Sequence, residues 1–437
     1  MVTQALNVWM NGELVGRWAV DRGAHSFRYD ESWPQSLYSR ALSLSLPMTA
    51  SLTIKGEEVK NYFDNLLPDN EKIRTRLSRR YKAKADTFSL LEAIGRDCIG
   101  AVQLLPEAAV PQGWNKIDYE VLSDLDVERE LHTVISDDRF SDHDDHFRIS
   151  IAGAQEKTAL LRYQGQWCRP LGSTPTTHIL KLPLGVIAGR SSRVDFSDSV
   201  QNEWLCAHMM TALGLPTAKT SMATFGDQRV LVVERFDRLW MDNSTWIARL
   251  PQEDFCQALG IPPEKKYEKD GGPGMAKCLQ LLQGSRDQQD ILFFVLTQLA
   301  FFLMAATDGH AKNFSVFLQR GGSYEMTPLY DVLSAWPYIG KGANQLDSYK
   351  VSMAMALRSK NAHYAYKEIH ARHWYQLAMK NGGVAIWEAM IAMVTNVDKA
   401  IEIVTAQLPK DFPAHTAELI FDGMRREAKR FLSEPRS

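Results

Sequence analysis

The 437-residue sequence predicts an α+β fold in two lobes, and three features predict it. Alternating apolar patterns and turn dipeptides dominate as far as about Arg238, which reads as a β-rich portion. Long helical patterns take over from Pro251 onward. One apolar run, Ile291 to Ala306, leads straight into the polar string Asp308-Gly309-His310-Ala311-Lys312-Asn313, so a buried helix delivers a polar loop. The length suits two or three domains, or two lobes about one cleft, and a 45% hydrophobic content supports a sizeable core. The expected division is an N-terminal β-rich subdomain over 1–145, a β-rich lobe core over 146–250, and a helical lobe over 251–437.

Taken in order, Val8 to Gly16 reads as a hairpin closed by the Asn11-Gly12 turn, and a helical stretch is expected around Glu71 to Leu91. The acidic run from Ser136 to His146 reads as a solvated linker, with metal binding by His143 and His146 as the alternative. Phe147 to Ile151 and Thr158 to Arg162 read as strands flanking the small-residue loop Ala152-Gly153-Ala154-Gln155-Glu156-Lys157. Small residues let backbone N–H groups approach phosphate oxygens, and Lys157 adds a point charge. The loop is not a Walker A sequence and has fewer glycines than G-x-G-x-x-G, so an ordinary hairpin loop remains open.

Lys181 lies in the apolar strand Thr177 to Pro183, where a lysine either snorkels to solvent or awaits an anion. Its position one strand after the small-residue loop favours the anion. Glu203, at a helix start, is its candidate ion-pair partner or else a solvated first-turn glutamate. Arg229 to Arg238 reads as a buried strand turning polar at its end; such an end offers main-chain groups to an adenine edge, with Phe236 as apolar wall, or is an edge strand before a charged turn.

Asp308 and Asn313 stand at i and i+5, the spacing of the Asp and Asn in the kinase loop H-R-D-x-x-x-x-N. The segment after Asn313 alternates, turns at Gly321-Gly322 and returns through Tyr324 to Thr327. An antiparallel hairpin brings its outer ends together, so Asn313 and Asp331 are expected side by side, where one Mg²⁺ binds both. Separately, Asp308-Gly309 also reads as a turn and Asp331 as a helix cap. Together with Lys181 they form the parts of a phosphoryl-transfer site: a lysine for phosphates, a carboxylate for the substrate hydroxyl, and an Asn/Asp pair for the metal.

A net charge of -2 gives no general drive toward nucleic acid or membrane. The five cysteines are scattered without a C-x-x-C pair, which argues for reduced thiols in a cytoplasm and against zinc or a disulfide framework. No export signal is read at the start, and the apolar run at 291–306 is too short to span a bilayer, so no membrane association and a cytoplasmic location are expected. Bases and aromatics interleave from Lys360 to Lys367, and with Arg372, Lys380, Arg425, Arg426, Lys429 and Arg430 they suggest DNA proximity or solvated helix faces.

Several strings are specific enough to carry a resemblance: 62–69, 149–160, 175–183, 233–238, 250–254 and 306–315. In these blocks the chain resembles the HipA family. The resemblance implies a serine/threonine protein kinase toxin of a toxin–antitoxin pair, with a fold similar to phosphoinositide-3-kinase-like kinases and an extra N-terminal subdomain. It implies ATP and Mg²⁺ as cofactors, with Ala152 to Lys157 and Lys181 on the phosphates and Glu234, Arg235 and Phe236 as the adenine hinge. Asp308 is implied as catalytic base, Asn313 and Asp331 as metal ligands, and His310, Ala311, Lys312 and Tyr330 as further ATP-binding positions. Ser150 is implied as a self-phosphorylation site. The implied partners are a dimeric HipB-like helix-turn-helix antitoxin, operator DNA through that complex, and glutamyl-tRNA synthetase as substrate, whose phosphorylation stops translation and promotes persistence. A small-molecule kinase of aminoglycoside or lipid type, or a corepressor with a vestigial site, shares part of this pattern.

Overall fold

A computed structural model describes residues 4–135, 149–153, 155–188, 193–342 and 344–435. The expected linker, with His143 and His146, and the strand residues Phe147 and Arg148 lie outside the described residues, as does Ala154. Two compact units interleave along the chain: one comprises 1–182, 223–266 and 315–327, the other 183–222, 267–314 and 328–437.

The first unit opens with a five-stranded antiparallel sheet in the order Thr53–Lys55, Ala24–Tyr29, Glu13–Asp21, Gln4–Met10 and Val102–Pro106. The Asn11-Gly12 turn forms as expected, both residues taking positive φ (45° and 85°), the conformation a tight hairpin twist requires. Inward residues of this sheet pack on the helices Glu57–Asp64 and Thr87–Ile94; Trp18 stacks on Phe63 with ring centroids 4.0 Å apart. The stretch expected as one helix from Glu71 to Leu91 is two, Glu71–Arg80 and Thr87–Ile94, because Asp86 caps the second by accepting the Ser89 N–H. The helix Glu57–Asp64 escaped prediction.

A six-stranded sheet follows, ordered Thr220–Phe225, Gln228–Glu234, His178–Lys181, Lys157–Tyr163, Gln166–Pro170 and Tyr119–Val121. Of the strand expected over Phe147 to Ile151, the described residues Ile149 to Ile151 join no named strand. Ile149 and Gly153 make only isolated parallel bridges, to Asp97 and Pro68, because their main-chain groups bond to the N-terminal portion instead of to a hairpin partner. A three-stranded sheet of Gln252–Asp254, Ser315–Leu318 and Tyr324–Met326 completes the unit, and the last two form the expected hairpin in the register Val316 to Met326.

An ion network is buried in the same unit. The guanidiniums of Arg235, Arg238 and Arg249 surround the carboxylates of Asp97 and Asp237 at 2.7–3.3 Å, every side chain being at most 8% exposed. Burial alone raises the Asp97 carboxyl, but the surrounding guanidiniums of Arg238, Arg249 and Arg235 win and hold it below the usual carboxylate range.

The second unit is mainly helical. Its centre is Gln289–Met304, fully apolar along 299–304, against which Ala371–Asn381, Val384–Thr395 and Ala414–Ser433 pack. Lys360 to Ala365 belongs to a β-hairpin with strands Ser352–Arg358 and Ala362–Ala365, and Tyr366 and Lys367 to the short 3-10 turn Tyr366–Glu368 that follows, where Tyr366 is buried. Lys380 and Arg372 are exposed on the helix Ala371–Asn381. Among the described residues, no helix is long and apolar enough to cross a membrane.

Candidate functional site

In the first unit, strand register places the cations. Lys157 lies directly opposite Lys181, and Lys181 directly opposite Leu231, so both ammonium groups project from one face of three adjacent strands. Like charges set opposite each other on a sheet repel, so such a row persists where anionic partners offset it. Lys181 is 6% exposed, which favours the buried charge over the snorkelling alternative.

The loop before Lys157 is latched at several points. The Ser150 N–H donates to the Asp97 carbonyl at 3.1 Å and its hydroxyl to the Leu66 carbonyl at 2.7 Å, leaving Ser150 fully buried. The Asp69 N–H donates to the Gly153 carbonyl at 3.1 Å, and Glu156 pairs with Arg76. Lys157 closes the loop by donating from Nζ to the Ala152 carbonyl at 2.6 Å. Gly153 suits its φ of +112°, a conformation that L side chains rarely adopt; a Cβ there would stand 2.4 Å from the Lys157 Nζ, the tip of a flexible side chain that can move aside. Gln155 reaches across to the Leu182 carbonyl.

At the end of Gln228–Glu234, Glu234 is exposed and Phe236 packs edge-on against Phe317 at 5.8 Å. The Arg235 side chain is committed to the buried network, and its N–H donates to the Thr177 carbonyl at 2.9 Å. That leaves the main-chain carbonyl as the group Arg235 has to offer.

In the second unit, the central helix ends at Ala305 in the left-handed conformation (φ 49°), and the Ala306 N–H returns to the Phe301 carbonyl at 2.8 Å. The chain then makes a tight loop. The Asp308 carbonyl accepts the His310 N–H at 2.7 Å and the Asn313 Nδ2 at 2.8 Å, so the i, i+5 pair is joined within the loop itself. Gly309 passes where a Cβ would lie 2.4 Å from the Phe301 ring. His310, Ala311, Lys312 and Asn313 are all buried, whereas the Asp308 side chain is 62% exposed. Its Oδ1 accepts the Tyr267 hydroxyl, a contact nothing in the sequence foretold.

Asp331 adopts φ 61°, a left-handed conformation uncommon outside glycine, which concentrates at functional positions. The segment holding it is fixed on both sides. Leu329 exchanges hydrogen bonds with Pro216 and Ala218, while Ser334 bonds through its main chain to both ends of the Asn202 amide at 2.9 Å. Tyr330 and Lys312, which immediately precede Asp331 and Asn313, are joined by a 2.9 Å hydrogen bond from the Tyr330 hydroxyl to the Lys312 carbonyl. Glu203 stands on the same helix as Asn202, in Ser199–Ala212, and is 4% exposed; the solvated alternative is excluded.

A lysine-bearing antiparallel sheet and a helix-delivered Asp-x-x-x-x-Asn loop define the class: a protein-kinase-like fold. The HipA-like C-terminal domain matches residues 149–410 and the HipA N-terminal domain residues 6–105, and the chain belongs to the HipA family. It is 32% identical to Y4mE of Sinorhizobium fredii over 431 residues, covering 97% of this chain and 96% of that protein. It is 27% identical to the serine/threonine-protein kinase toxin HipA of Shewanella oneidensis over 390 residues, covering 84% and 82%. The solved complex of Shewanella oneidensis HipA with HipB and its operator DNA contains a chain of the same fold, with TM-score 0.78, 23% identity, and coverage of 98% of this chain and 97% of that one.

Proposed function

We propose that this chain is an ATP- and Mg²⁺-dependent serine/threonine protein kinase, the toxin of a toxin–antitoxin pair. The catalytic loop carries the reading: Asp308 stands exposed while Asn313 is turned onto the Asp308 carbonyl from five residues away. In this reading Asp308 accepts the proton of the substrate hydroxyl. Asn313 and Asp331 hold Mg²⁺, and the donor set fits, an amide and a carboxylate oxygen suiting a hard cation that keeps its other positions for water and phosphate. Mg²⁺, when bound, neutralises charge on the phosphates during transfer.

Lys157 and Lys181 meet ATP phosphates from their common face of the sheet, with Ala152, Gly153, Ala154, Gln155 and Glu156 forming the loop over them. Glu234 and the Arg235 carbonyl take the adenine edge, Phe236 its face. His310, Ala311, Lys312 and Tyr330 shape the nucleotide side of the loop. Ser150 is a self-phosphorylation site, and because its hydroxyl is buried against Leu66 the loop must unlatch before that residue can accept phosphate. A phosphate there adds a charge of roughly -1.5 to -2, which keeps the loop from re-entering the latch.

The proposed substrate is a serine of glutamyl-tRNA synthetase, with growth arrest and persistence as the consequence. A HipB-like helix-turn-helix dimer is the proposed antitoxin, operator DNA is reached through that complex, and Lys380 is the DNA-proximal candidate. Five buried thiols support a cytoplasmic setting. The test is controlled expression of wild type and Asp308→Asn, followed by phosphoproteomics and growth measurement. The variant is expected to lose roughly 10²–10⁴-fold of phosphoryl transfer while still binding ATP. Growth arrest by a folded Asp308→Asn protein sinks the reading.

A further inference from the structure

Tyr267 has no part in the reading above, yet its hydroxyl donates to Oδ1 of Asp308. The residue is held firmly. Its carbonyl accepts the N–H groups of Asp270 at 3.1 Å and Gly272 at 2.9 Å, and its ring stands edge-on to the buried His310 ring, centroids 4.8 Å apart. The next residue, Glu268, pairs with Arg358 and accepts the Ala356 N–H at 2.7 Å, which ties this turn to the strand Ser352–Arg358.

Asp308 presents the opposite situation. Its main chain is fixed by the loop, but its carboxylate is 62% exposed, and the His310 Nε2 is 3.9 Å from Oδ2, beyond hydrogen-bond reach. An exposed aspartate on a fixed backbone still has χ1 and χ2 to choose, and a single firmly held donor selects among those rotamers. We infer that Tyr267 is a positioning residue: its O–H engages Oδ1 of Asp308 and so presents Oδ2 to the substrate hydroxyl. The inference rests on Asp308 being the base. The substrate proton passes to the Asp308 carboxylate, and Tyr267 keeps its own proton throughout. A base held in one orientation reaches the attacking geometry more often than one that samples several, which is a gain in turnover and not in nucleotide affinity.

Tyr267→Phe removes the hydroxyl and keeps the ring against His310. Self-phosphorylation followed by intact mass is expected to slow roughly tenfold or more at saturating MgATP, with the KM for MgATP within about twofold of wild type. A second readout is independent of activity. In protein labelled at the tyrosine ring carbon bearing the hydroxyl, one of the fourteen tyrosine resonances is expected to shift in Asp308→Ala, the same one that vanishes in Tyr267→Phe. A Tyr267→Phe rate equal to or above wild type overturns the inference, as does a tyrosine spectrum unmoved by Asp308→Ala. If wild type itself transfers no phosphate, the base assignment falls and this inference with it, a result distinct from wild type and Tyr267→Phe transferring equally.

Discussion

At the scale of single residues, ionisable groups that the fold has removed from water carry the clearest consequences. Burial pushes the Glu253 carboxyl up to about 8, even though its Oε1 accepts the Leu44 N–H at 2.8 Å. A carboxyl whose folded pKa is raised binds its proton more tightly in the native state, so its stability contribution is complete below the unfolded pKa and drains away as pH rises to about 8. Glu253→Gln retains the acceptor for Leu44 and removes the titration. It is expected to be the more stable protein by about 1–3 kcal/mol at pH 8, with the gap closing toward pH 4.5, and thermal melts across that range check it. Asp97 runs the other way, its depressed pKa giving stability that is kept at neutral pH and lost only in strong acid. Asp331 tests the metal site: Asp331→Asn is expected to weaken MgATP binding roughly tenfold, partly recovered by excess Mg²⁺, because a hard dication prefers an anionic oxygen. Unchanged Mg²⁺ dependence in calorimetric titration removes Asp331 from that site.

The element that matters most is the latched loop from Ile149 to Lys157. Its hydrogen bonds run to Leu66, Asp69 and Asp97, so the N-terminal portion of the chain decides its conformation. Gly153→Ala places a Cβ at a φ that L-residues avoid, a strain of about 1–3 kcal/mol, and displaces the Lys157 Nζ from its bond to Ala152, so the loop relaxes by leaving the latch. Hydrogen exchange over 149–157 is expected to quicken and ATP affinity to fall, while the melting temperature changes little. Slow exchange with normal ATP binding would refute the role given to Gly153. The strand Lys157–Tyr163 and the hairpin after Ser315 were legible from alternation and turn residues, since those signals are local. The described part of Phe147 to Ile151 was misread as a strand because Ile149 bridges to Asp97 in the N-terminal portion instead of to a hairpin partner, and periodicity does not name the partner.

For the molecule as a whole, all five cysteines are free and buried, and none touches the proposed chemistry. Burial raises the Cys98 thiol to about 12, with the Asp97 carboxylate adding to it, and raises Cys206 and Cys278 further. Titration with a chromogenic disulfide is therefore expected to find essentially no fast thiol in the native protein and five after denaturation; two or more fast native thiols would contradict this burial. Reductant is expected to leave the melting temperature unchanged.

By itself the sequence determined the two-lobed α+β class, the helix that delivers Asp308, the Asn313 and Asp331 flanks of one hairpin, and the strand that carries Lys181. The class is written in patterns along the whole chain, and each of the others in spacing, periodicity or turn chemistry within some twenty residues. Tertiary structure alone decided that Tyr267 bonds Asp308 across 41 residues, that Leu66 covers Ser150 across 84, and that Arg235 turns into a network with Asp97 across 138 instead of toward a ligand. The physical reason is the same in each case. A side-chain hydrogen bond has no periodicity, so its partner is fixed by whichever elements the core packs together, and that choice belongs to the whole chain.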